Sequence, residues 1–476
     1  MKKSVVNGVF WSAIDRFAVV AIQVVFEILL ARLLLPSDYG LLGMVAVFIA
    51  IAHVFVDGGF MNALIQKQDR SEKDYSTVFV TSLALSLFIY MILFFAAPAI
   101  ATFYDKEQLI PIVRVLGLNI VFNSIALVYR TKLSVSMDFK LQAKFSVLSV
   151  LLSGVFGLVL AYIGFGVWAL VLQLVTLYGL NTILLMVNLR WIPRLEFSLE
   201  SFKLLFGFGS KLLLASIINA IYTNLYHLLI GKVFNDHKLG LYTKSSQFTL
   251  YPSSMMTNTL QRVMYPFLSQ FQEDDKKLFE LNKQYYLLIA MIFFPLFFGL
   301  SMLAEPFVRL LLTDVWIETV PLIRILSLAF LLYPLINVNM FVFQIKGMPN
   351  RFLFVEILTK VSGIIILIIT LRYDLIVIAW GILLQYILQL LITSYMSDKV
   401  LKVKVFTQIR LLMPLLVFSC VVYLSVNFAL ELTSIAWIQL IGGMLLVVLL
   451  YGAYYMLFMK DSIMFVKNKL LKQVKE

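Results

Sequence analysis

Cysteine and histidine are nearly missing: one cysteine, Cys420, and three histidines, His53, His227 and His237, in 476 residues. A lone cysteine builds neither a disulfide framework nor a thiolate metal site. The histidines lie far apart, without HExxH or CxxC spacing, so neither a metal ligand set nor a resident cofactor is expected. Charge is scarce too, at 14% of the chain. Long polar stretches are absent; the longest external connection, Ala304 to Val320, is about 17 residues, too short for a folded catalytic module. With 61% hydrophobic residues and a mean hydropathy of +0.94, the surface suits lipid and not water, which excludes a cytosolic enzyme.

What the chain has instead is apolar runs. At about 20 residues per crossing, fourteen windows stand out, running from 8–31, 41–64, 77–103 and 111–129 through 204–230 and 242–269 to 411–430 and 436–459. A single segment in lipid satisfies its own backbone groups only as a helix. The expected fold is therefore an all-α polytopic membrane protein with about fourteen transmembrane helices. The basic start Met1-Lys2-Lys3 precedes an apolar stretch too long for a signal peptide, and it is read as a retained first helix.

The formal net charge is +13, and its placement decides its meaning. With the N-terminus inside, the inner loops and termini hold 26 of the 39 basic residues and the outer loops six. The positive-inside rule then places both termini in the cytoplasm, and nucleic acid is not an expected partner. The segment Lys460 to Glu476 interleaves lysines with Phe465, Val466, Leu470 and Leu471; it reads either as a helix on the inner leaflet or as a solvated tail.

Two self-similarities recur down the chain. IPIVRVLGL (Ile110 to Leu118) pairs with VPLIRILSL (Val320 to Leu328), an offset of 210. Leu29, Arg32, Gly40, Leu41 and Phe48 pair with Leu229, Lys232, Gly240, Leu241 and Phe248, an offset of 200. Six helices separate each copy from its partner, so the copies are expected to be parallel repeats. The expected divisions are a lobe of helices 1–6 (residues 1–203), a lobe of helices 7–12 (204–400), and helices 13–14 with the basic tail (401–476).

Eleven charged residues fall inside the windows: Asp15, Arg16, Glu27, Asp57, Arg114, Lys211, Lys244, Arg262, Arg324, Glu356 and Lys360. At roughly 3 kcal/mol each near the bilayer centre, lipid exposure of all of them costs on the order of 30 kcal/mol, more than a fold's whole stability. Arg114, Arg324 and Glu356 sit near helix starts, where snorkelling or interfacial pairing suffices. In helix 1, Ser12, Arg16, Gln23 and Glu27 share one face. In helix 8, Lys244, Gln247, Tyr251, Ser254, Asn258, Arg262 and Tyr265 fall in a wedge of roughly 80°. Such stripes either join helices through hydrogen bonds or line a path for a hydrated ligand. Cations, amides and phenols without carboxylates suit phosphate and hydroxyl groups, which makes Arg16, Lys211, Lys244, Tyr251, Asn258, Arg262 and Lys360 the candidate substrate-binding residues. Lys211 and Lys360 have the alternative of pairing with an acid such as Asp57. Asp15, Glu27 and Asp57 are either proton- or sodium-coupling groups or structural ion-pair partners.

Three segments carry a family resemblance: FEILLARLLLPSDYGLLGM (Phe26 to Met44), DGGFMNALIQ (Asp57 to Gln66) and QRVMYPFLSQFQED (Gln261 to Asp274). They resemble the polysaccharide-transporter branch of the multidrug, oligosaccharidyl-lipid and polysaccharide exporter superfamily, nearest to the colanic-acid and capsule type of repeat-unit flippase. The resemblance implies two six-helix lobes around a central cationic cavity, with two extra helices. It implies alternating-access movement of undecaprenyl-pyrophosphate-linked oligosaccharides across the bacterial plasma membrane for surface polysaccharide synthesis, with the bilayer, a polymerase and chain-length proteins as partners. The rivals are a cation-coupled drug antiporter, which wants an acidic cavity, and a membrane glycosyltransferase or polymerase, which wants a larger external loop.

Overall fold

The computed structural model describes residues 18–194 and 196–459, without the side chains at 208–212, 214, 215 and 263. Among these residues all regular structure is helical. The chain divides into two compact units, Met1–Gly240 and Leu241–Glu476.

The first unit holds α1 (Ala18–Ala31), α2 (Pro36–Asp57), α3 (Phe60–Gln66), α4 (Glu72–Tyr104), α5 (Leu109–Leu116), α6 (Leu118–Val135), α7 (Phe139–Tyr162), α8 (Val167–Leu189) and α9 (Leu199–Val233). The helix α10 (Asp236–Ser269) begins in it and runs on through the second unit. Then follow α11 (Asp275–Met302), α12 (Ala304–Leu311), α13 (Thr319–Ile345), α14 (Pro349–Thr370), α15 (Leu375–Val400), α16 (Thr407–Glu431) and α17 (Ala436–Phe458).

Local chemistry sets the helix starts. Proline, whose missing N–H costs nothing in the first turn, opens α2 and α14. The side chains of Ser71, Asp138, Ser198 and Asp274 accept a backbone N–H three residues on and so cap α4, α7, α9 and α11. Burial does the rest. In the first unit Trp191 sets its ring edge-on to Tyr75, Phe79 and Tyr129, and Tyr129 Oη donates to the Trp191 carbonyl at 2.9 Å. In the second unit Phe293 stacks on Phe297 and Phe294 on Phe298 along α11, all four buried.

Eleven spans among the described residues are long and apolar enough to cross a membrane. The other three of the fourteen expected windows lie on α1, α9 and α10, so a count of fourteen is not established by length and apolarity alone. The helix α10 is polar on two faces, one a ridge of Ser245, Thr249, Ser253 and Thr257 and the other the stripe from Lys244 to Tyr265. The connection at 304–320 holds α12 followed by a 3-10 turn at Asp314–Trp316 whose tryptophan is fully buried.

The repeat survives in three dimensions as a recurrence of elements. Helix starts at residues 36, 72, 139 and 167 recur at 236, 275, 349 and 375. The chemistry recurs with them. Glu72, the first residue of α4, receives Lys132 from the last turn of α6 at 2.8 Å. Asp275, the first residue of α11, receives Lys346 from the end of α13 and Lys402 at 2.7 Å. An acid at a helix N-terminus favours the local dipole and at the same time ties two helices together. The Asp275 carboxylate holds the Lys402 ammonium above its ordinary pKa.

The glycines of the 200-residue offset are reciprocal. A Cβ on Gly40 would stand 1.8 Å from the carbonyl oxygen of Asp236, and one on Gly240 would stand 1.7 Å from that of Pro36. The first turns of α2 and α10 thus touch backbone to backbone, which only glycine permits.

Candidate functional site

Two polar places inside the apolar frame involve the expected residues. The first is α10. One ridge, Ser245, Thr249, Ser253 and Thr257, is buried and spaced by four residues. Ser253 Oγ donates to the Phe330 carbonyl of α13 at 2.7 Å, while Ser245, Thr249 and Thr257 each bond to the carbonyl four residues earlier at 2.7 Å. Small hydroxyl residues let helices approach closely and satisfy themselves in the process. The face rotated away from this ridge carries the expected stripe. Lys244, at its start, is fully buried with Nζ 6.0 Å from the centre of the Phe248 ring. Tyr251, Asn258 and Arg262 are exposed, and Gln247, Ser254 and Tyr265 are half-buried. Beyond Lys244, the charge and the amide of the stripe are thus on an exposed face.

The second place centres on Asp57, an expected ion-coupling or ion-pairing acid, with partners that the sequence reading does not name. The helix α2 stops at Asp57 because Gly58 and Gly59 both take left-handed backbone (φ +49° and +71°), after which α3 resumes at Phe60. The break is enforced by space as well, since a Cβ on Gly58 would lie 2.9 Å from the Phe60 ring. It leaves the Asp57 carboxylate at the mouth of a cavity of about 310 Å³. Asn123 Nδ2 donates to Asp57 Oδ1 at 3.2 Å, and Asn123 Oδ1 accepts from Arg130 Nη1 at 3.1 Å. Arg130 Nη2 donates to Asn181 Oδ1 on α8 at 3.0 Å. The acid and the guanidinium are thus joined through one amide that uses both its ends. Behind them His53 of α2 stacks on Tyr178 of α8, with centroids 5.7 Å apart. The polar lining is Asp57, Asn62, Asn123, Arg130 and Ser216; Val54, Met61, Leu127 and Leu213 supply apolar wall.

Of the other expected residues, Asp15 and Arg16 lie outside the described residues, as do the side chain of Lys211 and the segment 460–476. Glu27 is half-buried on α1. Lys360 Nζ lies 2.8 Å from Glu356 one turn away on α14, and Asp57 is engaged by Asn123. Arg114 Cζ lies 4.3 Å from the centre of the Phe94 ring, and Arg324 pairs with Glu305 of α12 at 3.5 Å.

Sequence reasoning missed Asn123, Arg130 and Asn181. The expected window stopped at residue 129, which put Arg130 in a loop, whereas α6 continues to Val135. The available signal was the spacing of Asn123 and Arg130, seven residues or two turns apart on one helix. Among the described residues no three His, Cys, Asp or Glu side chains are grouped to hold a metal.

Residues 29–321, more than half of the chain, match the family described as polysaccharide biosynthesis protein. The chain belongs to that family. Among relatives it is 25% identical over 347 residues to the teichuronic acid biosynthesis protein TuaB of Bacillus subtilis, covering 72% of each chain. It is 24% identical over 338 residues to the lipopolysaccharide biosynthesis protein WzxC of Escherichia coli, covering 70% of this chain and 68% of that one. Among solved structures it is similar to the lipid II flippase MurJ in its inward closed conformation, with a TM-score of 0.74, 15% identity, and coverage of 96% and 100%. An inward-facing multidrug transporter of the MATE family in the MOP superfamily gives a TM-score of 0.62 at 17% identity, with coverage of 81% and 99%. The chain is a multi-pass membrane protein with this transporter fold.

The family-like segments turn out to be junctions. One carries the turn from α1 to α2, where Leu35 N–H donates to Asp38 Oδ2 at 2.9 Å, together with the Gly40 crossing. Another is the glycine break after Asp57, and the third is the end of α10 up to the Asp274 cap of α11.

Proposed function

We propose that the chain carries polyprenyl-pyrophosphate-linked oligosaccharides from the inner to the outer leaflet of the bacterial plasma membrane by alternating access, supplying surface polysaccharide synthesis. The family and the transporter fold support movement of a lipid-linked glycan. The observation that carries the reading is the face of α10, where Tyr251, Asn258 and Arg262 stay exposed while the opposite Ser/Thr ridge is buried and bonds to α13 through Ser253. A guanidinium is suited to bidentate bonds with phosphate, and a phenol offers an apolar face with a polar handle to a sugar ring.

The chain forms and breaks no covalent bond in this reading. It lowers the barrier to taking a charged, hydroxylated headgroup through hydrocarbon, while the polyprenyl tail stays in lipid. Arg16 extends the cationic path, both termini are cytoplasmic, and a proton or sodium gradient drives the cycle through Asp15 or Glu27. A polymerase and chain-length proteins receive the product. Likeness to a multidrug transporter favours a drug antiporter on fold alone; a cationic face repels cationic drugs.

The test is transport of a fluorescent polyprenyl-pyrophosphate oligosaccharide in proteoliposomes holding the full chain. Arg262→Ala and Asn258→Ala, both at exposed positions, should insert normally and slow transport, and in cells lipid-linked repeat units should accumulate on the inner side. Wild-type rates in both variants overturn the reading.

A further inference from the structure

We propose that the cavity beside Asp57 is a binding subsite for one neutral sugar ring of the passenger. It is distinct in chemistry from the cationic face of α10, and it gives the first unit a part in choosing the glycan. The proposal rests on the flippase reading and adds a recognition element to it.

Three features decide the ligand class. The first is charge balance. The lining holds one carboxylate, Asp57, and one guanidinium, Arg130, bridged by Asn123. A pyrophosphate placed there would meet the Asp57 carboxylate, and a small cation would meet Arg130, so neither is favoured over a neutral ligand. The second is hydrogen-bonding character. A sugar hydroxyl donates and accepts at once. The carboxylate offers acceptors, Asn62 offers both kinds of group, and Ser216 offers a hydroxyl, while Asn123 holds Asp57 and Arg130 in place. The third is shape. About 310 Å³ lies at the small end of the range for ligand pockets, which suits a single ring. Val54, Met61, Leu127 and Leu213 provide apolar wall for the C–H face that a pyranose presents.

Preorganisation strengthens the case. Arg130 is held by amides on α6 and α8, and Asp57 is placed by a two-glycine break, so the polar groups need not reorganise to receive a ligand. In this assignment Asp57 is a substrate-binding carboxylate and not an ion-coupling one.

The experiment uses the full chain in lipid nanodiscs and saturation-transfer NMR. The probes are methyl glycosides of neutral hexoses, N-acetylhexosamines and a hexuronic acid, with inorganic pyrophosphate as the anionic control. At least one neutral glycoside should bind saturably. Asp57→Asn and Asn123→Ala should weaken it tenfold or more while leaving pyrophosphate binding unchanged; Arg262→Ala should do the reverse. Asn62→Ala and Ser216→Ala, at exposed lining positions that spare the fold, should weaken the glycoside severalfold. Absence of saturable glycoside binding overturns the proposal, as does equal binding by Asn62→Ala, Ser216→Ala and wild type, or stronger binding of the hexuronic acid than of every neutral sugar. If glycoside binding follows this pattern while no lipid-linked oligosaccharide is transported, the subsite stands and the flippase reading falls. Transport without glycoside binding has the opposite meaning.

Discussion

The polar face of α10 and the cavity beside Asp57 are both hydrophilic places inside an apolar protein, yet they are made in opposite ways. The α10 face lies on one helix, its groups spaced at helical intervals, and it is cationic without a balancing acid on the same stripe. The cavity is assembled from α2, α3, α6 and α9, braced by α8, and its acid and base are balanced through Asn123. A single-helix stripe concentrates charge of one sign; an assembly of several helices neutralises charge and shapes a space. The first suits an anion, the second a neutral hydroxylated ring.

The largest effect should strike both places together, because both depend on helices that begin at the glycine crossing. Gly40→Leu and Gly240→Leu force the backbone apart, since a Cβ at either position would stand 1.8 or 1.7 Å from a carbonyl oxygen; each should cost about 3 kcal/mol or more, at the upper end of overpacking. Thermal unfolding of the purified protein would measure this, and a drop in transition temperature of less than a degree for either variant would show that the crossing yields easily.

Next come the α10 charges. Arg262→Ala should slow transport about tenfold to hundredfold, the worth of one or two charge-assisted bonds, whereas Arg262→Lys should recover part of it by keeping the charge without the fork. If Arg262→Gln transports as well as Arg262→Lys, the face reads shape and not charge, and the contrast with the cavity dissolves.

A smaller change should separate the two places. Asn123→Leu removes the amide between Asp57 and Arg130, leaving polar groups unbridged at a cost of about 1–3 kcal/mol. It should lower stability and leave the response to pyrophosphate intact, both readable on the same purified sample.

The smallest effect belongs to Lys360→Ala. Its pair with Glu356 is an i, i+4 contact worth about 0.3–0.5 kcal/mol, so unfolding should barely move and transport should hold. A large transport loss would return Lys360 to the substrate path.

The α10 stripe was legible because helical periodicity is written in the order of residues: Lys244, Tyr251, Asn258 and Arg262 share a face however the helix packs. The Ser/Thr ridge was equally regular and went unread, since hydroxyls that bond to their own helix look unremarkable until a neighbour such as Phe330 meets them. Asp57 was singled out as an acid in a membrane, but its partners come from residues 66 and 73 positions away in the chain. No local pattern links Asp57 to Asn123 or Arg130.

Membrane residence, the helical class, the repeat and the cationic stripe were determined by the order of amino acids, because apolar length, charge count and period are one-dimensional quantities. Tertiary structure decided what the charges inside the apolar windows do. Lys360 was given to Glu356, Arg324 to Glu305, and Asp57 to Asn123 beside a cavity. Enclosed space and most pairings depend on which helices touch, and a charge is stabilised by whichever neighbour the packing brings within a few ångströms.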